Sequence, residues 1–169
     1  IAEGEVLQLM NMRDPHLSQE DYLRVIRSKT SKLFEASARL PAVLMGVDSV
    51  LENTCADYGQ AIGTAFQVVD DVLDYEGDQA RLGKSLGDDL REGKTTLPLI
   101  LAMRSANPSQ RSLIEEAIEQ GQVEALPSIL TILNETGAIE QAREVAMEQA
   151  KLAIKAADRL PQGPYQVAL

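Results

Sequence analysis

Apolar residues recur along most of the chain at steps of three and four, the period of a helix buried on one side. "IAEGEVLQLM" is already on that period with no capping residue before it, so the chain is expected to start mid-helix, with the front of the protein missing. That helix runs to about Met12. "RDPHLSQED" connects to the next, and Ser18 with Asp21 is spaced as a capping box. The second helix carries Tyr22, Ile26, Lys29 and Leu33 at steps of four, three and four. Pro41 kinks or ends it, and apolar positions continue to Met45 before Gly46.

Asp48 or Ser49 caps a long helix reaching about Tyr75. "EGDQARLGKSLGDDLREGK" is a polar loop with four glycines, in which Asp88 and Asp89 open a short turn, a water-mediated metal role being the lesser reading. Thr95 or Thr96 caps another helix with Pro98 in its first turn. Further helices are predicted over about 108–120, 126–134 and 136–159. No repeat and no second-domain boundary interrupts them, so the expected fold is all-α, a single partial domain over 1–169.

Composition changes this picture only by exclusion. The formal net charge of −10 argues against binding nucleic-acid backbones or anionic membranes. One cysteine, Cys55, and one histidine, His16, leave no disulfide framework, zinc constellation, or Cys/His or Ser/His catalytic pair. No signal peptide or transmembrane run is present, and a cytoplasmic protein is expected.

The candidate chemistry lies in "FQVVDDVLDY". Gln67, Asp70, Asp71 and Asp74 stand at i, i+3, i+4 and i+7 and form one stripe, while Phe66, Val68, Val69, Val72 and Leu73 fill the rest of the circumference. A helix apolar nearly all round is usually buried, so the stripe is expected to face a polar cavity. Short carboxylates without local counter-charges suit a hard divalent cation; Mg²⁺ takes one or two carboxylates plus substrate phosphates. Gly59 and Gly63, with Ala56, permit close helix packing or leave room for a substrate. Lys29 either snorkels to solvent or, with Thr30, offers donors to a phosphate. Lys84 and Lys94 each follow a loop glycine and are solvated or ligand-facing.

Together these segments resemble the trans-type polyprenyl diphosphate synthases, class I isoprenoid enzymes built as helical bundles. "FQVVDDVLDY" resembles their second aspartate-rich motif, DDxxD, and "RVIRSKTSKLFEA" their Lys-Thr helix. "RLGKSLGDDLREGKTTLPLILAM" and "AEGEVLQL" resemble the segments after the motif and before the Lys-Thr helix, in family order. The resemblance covers Ala2 to about Met103, and the later helices fit the family's C-terminal end.

It implies Mg²⁺ on Asp70, Asp71 and Asp74, with Lys29, Thr30 and Gln67 at the allylic diphosphate and Lys84 and Lys94 on its phosphates. Lys29, Thr30, Gln67 and Asp70 are the catalytic candidates. Gln8 falls where many relatives have an acidic residue. The implied reaction is ionisation of an allylic diphosphate, attack by isopentenyl diphosphate and proton loss, giving a long-chain trans-polyprenyl diphosphate for quinone side chains. A homodimer is expected, with peripheral membrane contact at product release. The first aspartate motif and the basic segments for isopentenyl diphosphate are absent, so the chain alone is expected to be inactive. Alternatives are a non-catalytic partner subunit of a heteromeric synthase and another class I isoprenoid enzyme.

Overall fold

The computed structural model describes residues 1–76, 86–163 and 166, and no strand occurs among them. The order is α1 (Ala2–Met10), α2 (Gln19–Ile26), a π-helical turn (Arg27–Ser31), α3 (Lys32–Met45), α4 (Ser49–Glu76), α5 (Asp88–Glu92), α6 (Leu97–Ser105), α7 (Pro108–Gln120), α8 (Leu126–Thr136) and α9 (Ala138–Ala157). The 28-residue α4, about 42 Å long at 1.5 Å per residue, is the axis of the fold. It packs most extensively on α9 and on α3.

Several boundaries have local causes. The Asp21 backbone N–H donates to Ser18 Oγ at 3.1 Å and starts α2. The Leu51 N–H donates to Asp48 Oδ1 at 2.9 Å and starts α4. Pro41 neither ends nor divides α3, which continues to Met45 and stops at Gly46, φ 63°. The boundary expected between the helices over 126–134 and 136–159 falls at Gly137, φ 64°, which ends α8 and begins α9.

The core lies between α4 and α6–α9. Val68, Val72 and Tyr75 of α4 share one buried cluster with Leu97, Leu99 and Ile100 of α6, and α6 in turn packs on α7 and α8, which add Ile114, Ile118, Ile129 and Leu133. Helix α6 is buried on all sides from Leu97 to Met103, which matches its unbroken apolar sequence.

Helix α4 is not enclosed all round as its composition predicts. Phe66, Val69 and Leu73 are exposed on the face turned away from this core. The apolar series Tyr22, Ile26, Lys29, Leu33 is also interrupted. Tyr22 and Ile26 are buried, but the next buried positions are Ser31 and Glu35, and Leu33 is exposed. The five-residue step from Ile26 to Ser31 is the π-helical turn, which inserts one residue and rotates all that follows.

Candidate active site

The stripe on α4 divides among three environments. Asp71 has no solvent exposure. Its Oδ2 accepts from the Tyr22 hydroxyl at 2.6 Å, and its Oδ1 accepts from Gln67 Nε2 and Lys94 Nζ, each at 2.9 Å. Lys94 Nζ also donates to both oxygens of Asp89 at 3.2 Å. Three donors thus satisfy a carboxylate that is withdrawn from water. Burial, then the Asp71 charge, pushes the Tyr22 phenol well above its ordinary pKa, so it remains a donor.

Lys94 sits near the carboxylates because α5 is short and folds back; its own N–H donates to the Asp89 carbonyl at 2.8 Å. Burial opposes its charge, but Asp71 and Asp89 outweigh that and hold the ammonium above the usual lysine range. Asp89 moves the same way for a different reason. Its burial, with the Asp71 and Asp74 charges, outweighs Lys94 and pushes the carboxyl up to about 7.

Asp74 is half-buried and accepts the backbone N–H groups of Asp88 at 3.2 Å and Asp89 at 3.1 Å. It thereby ties the first residues of α5 to α4. Burial raises its pKa, and those two N–H groups partly pull it back. Asp70 is exposed, with Gln67 Nε2 at 3.4 Å from its Oδ2.

Gln67 links this cluster to the π-helical turn, since its Oε1 accepts from Thr30 Oγ1 at 3.0 Å. Lys29 is half-buried and engaged on α1. Its ammonium donates to Gln8 Oε1 at 3.0 Å and pairs with Glu5 at 3.3 Å, both on α1. Gly59 and Gly63 serve packing: a Cβ on Gly59 would lie 2.4 Å from the Phe34 carbonyl oxygen, and one on Gly63 would lie 2.8 Å from Ser31 Cα. Lys84 lies outside the described residues.

The structure therefore gathers Thr30, Gln67, Asp70, Asp71, Asp74 and Lys94 into one hydrogen-bonded system, with Lys29 at its edge. Lys94 is spent on two carboxylates instead of reaching outward to a phosphate, and Asp71 offers no open oxygen to a cation. No group of three or more His, Cys, Asp or Glu residues forms a metal cage among the described residues. Asp70, on the surface, and Asp74, half-buried with one backbone N–H on each oxygen and a lone pair left on each, suit a cation that takes two carboxylates and completes its shell from phosphate and water, as Mg²⁺ does. Sequence reasoning missed Tyr22 as a member of the site and gave Asp89 only a lesser, water-mediated role there. A tyrosine on a buried seam needs a hydroxyl partner, which was a usable signal for Tyr22.

The family model for polyprenyl synthetase matches residues 1–133. The chain belongs to the polyprenyl synthetase family. It is 49% identical over 170 aligned residues to octaprenyl diphosphate synthase of Escherichia coli (strain K12), covering 100% of this chain and 53% of that protein, its C-terminal half. It is 41% identical to all-trans-nonaprenyl-diphosphate synthase (geranyl-diphosphate specific) of Rhodobacter capsulatus, of which it covers 52%. The crystal structure of polyprenyl synthase from Caulobacter crescentus CB15 complexed with calcium and isoprenyl diphosphate superimposes with a TM-score of 0.92 at 41% identity. That match covers 99% of this chain and 52% of that one. The chain thus spans about half the length of the curated relatives it matches. Family and all-α fold class agree with what the motifs implied.

Proposed function

We propose that this chain forms one wall of the active site of a Mg²⁺-dependent prenyltransferase that extends an allylic diphosphate with isopentenyl diphosphate. The product class is a long-chain, octaprenyl-type trans-polyprenyl diphosphate for quinone side chains. The observation that carries this reading is the Thr30–Gln67 bond, which joins the Lys-Thr turn to the aspartate helix beside the exposed Asp70.

In this reading Asp70 and Asp74 hold Mg²⁺ together with the diphosphate. Bound there, the ion would neutralise charge on the departing diphosphate. Lys29, with the ammonium proton that Glu5 and Gln8 leave over, and the Thr30 hydroxyl, turning its single proton from Gln67 Oε1, donate to diphosphate oxygens as the allylic C–O bond breaks. Gln67 keeps Thr30 in register, while Asp71 and Lys94 fix the aspartate helix against α2 and α5. Lys84 is assigned to the diphosphate from the resemblance alone. A cavity of about 680 Å³ between α3 and α4, lined by Leu33, Phe34, Ala38, Tyr58 and Ile62 among others, begins one turn beyond Thr30 and suits an apolar prenyl chain. A homodimer in the cytoplasm completes the proposal.

The test is elongation by a complete synthase built from this chain and the N-terminal half of a relative. Asp70→Ala should lower turnover by about a hundredfold or more while helical content is retained. Normal turnover by that variant sinks the assignment. The 169-residue chain alone should make no polyprenyl diphosphate.

A further inference from the structure

The π-helical turn is gripped from two sides. On one side, the α1 backbone presses against it at Gly4, where a Cβ would lie 2.3 Å from Lys29 N and 2.6 Å from the Ser28 carbonyl carbon. On the other, α4 approaches at Gly63, and Ser31 Oγ meets Thr64 Oγ1 at 2.9 Å with both side chains fully buried. Ser31 Oγ also lies 3.5 Å from the carbonyl oxygen of Ile26, five residues back.

The consequence follows from helix geometry. With an uninterrupted α-helix, the seam begun by Tyr22 and Ile26 continues through Lys29 and Leu33, which drives the lysine against α4. The extra residue puts the small Ser31 into the seam instead. Lys29 and Thr30 move to its edge, where Glu5, Gln8 and Gln67 meet them.

We propose that Gly4, Gly63 and Thr64 are positioning residues that clamp the π-helical turn and so aim Lys29 and Thr30 at the diphosphate. This rests on the proposed diphosphate-binding role of Lys29. A methyl group at Gly4 requires α1 and the turn to separate by about an ångström before ordinary contact at 3.4 Å is reached. That separation withdraws Glu5 and Gln8 from the ammonium they orient.

The probe is inorganic pyrophosphate with Mg²⁺, titrated calorimetrically into the chain. Lys29→Ala should weaken binding about tenfold, the loss of one charge-assisted hydrogen bond. Gly4→Ala should cost about as much, and the double variant should bind no worse than either single one, because both changes act through the same ammonium. Thr64→Val removes the latch without a clash and decides the matter if Gly4→Ala does not fold; it should weaken binding severalfold, with Thr64→Ser restoring it. Additive losses for Gly4→Ala and Lys29→Ala, or parental binding by Gly4→Ala and Thr64→Val, overturn the clamp while leaving the site intact. Parental binding by Lys29→Ala, or no binding by the parent chain, removes the proposed diphosphate role and the clamp with it.

Discussion

Replacing Tyr22 by Phe isolates the bond that anchors the aspartate helix from within. The ring is 2% exposed and its hydroxyl donates to Asp71 at 2.6 Å, in the short range of charge-assisted bonds. Hydrogen bonds to charged groups contribute about 1.5–3 kcal/mol. Asp71 keeps Gln67 Nε2 and Lys94 Nζ, so the carboxylate is not orphaned, and Phe refills all but the hydroxyl's space. The expected loss is therefore near the middle of that range, about 2 kcal/mol. For a chain of this size that lowers Tm by roughly 4–8 °C. Urea denaturation of the parent and Tyr22→Phe chains, followed by circular dichroism, measures it directly. A loss under about 0.5 kcal/mol, the scale of a neutral surface substitution, would refute the claim that this bond holds α2 to α4.

Lys94→Met should cost more, about 3–5 kcal/mol, because it strips a buried carboxylate of its cation; a loss below about 1 kcal/mol would show that the pair is effectively solvated. Asp89 carries a folded-state pKa of about 7, above its unfolded value of about 4, so the folded chain keeps a proton that the unfolded chain has released. Stability should fall as pH rises through that interval and level off above it. Asp74 contributes in the same direction, so Asp89→Asn should flatten this slope in part, and an unchanged slope in urea midpoints between about pH 4 and 8 would count against the assignment. Gly59→Ala places a Cβ 2.4 Å from the Phe34 carbonyl oxygen and should destabilise by about 1–3 kcal/mol, whereas Gly163→Ala, with nothing within 4 Å, should be neutral in the same assay.

The helices were readable because their cause is local. Ser18 and Asp48 cap as their spacing predicts, and α6 reads as buried from composition alone. The site was readable only as a set of positions. Gln67, Asp70, Asp71 and Asp74 lie on one side of α4, but a helical projection does not say which neighbour each will meet. Asp71 is bound by a tyrosine 49 residues before it and a lysine 23 residues after it. Lys29 sat on the apolar period and left it because of a single inserted residue, which the pattern of apolar positions did not mark.

The sequence by itself determined an all-α chain, the family, and the turn-by-turn spacing that places hard oxygen donors along α4. These depend on backbone period, capping and motif order, all of which act over a few residues. Only the tertiary structure decided that Asp71 and Lys94 are spent on holding helices together, that Asp70 is the outward carboxylate, and that Lys29 and Thr30 ride a π-helical turn. Those outcomes depend on desolvation and on contacts between α1, α2, α4 and α5. Burial gives identical aspartates different charge costs, and it is set by which distant segment arrives to cover each one.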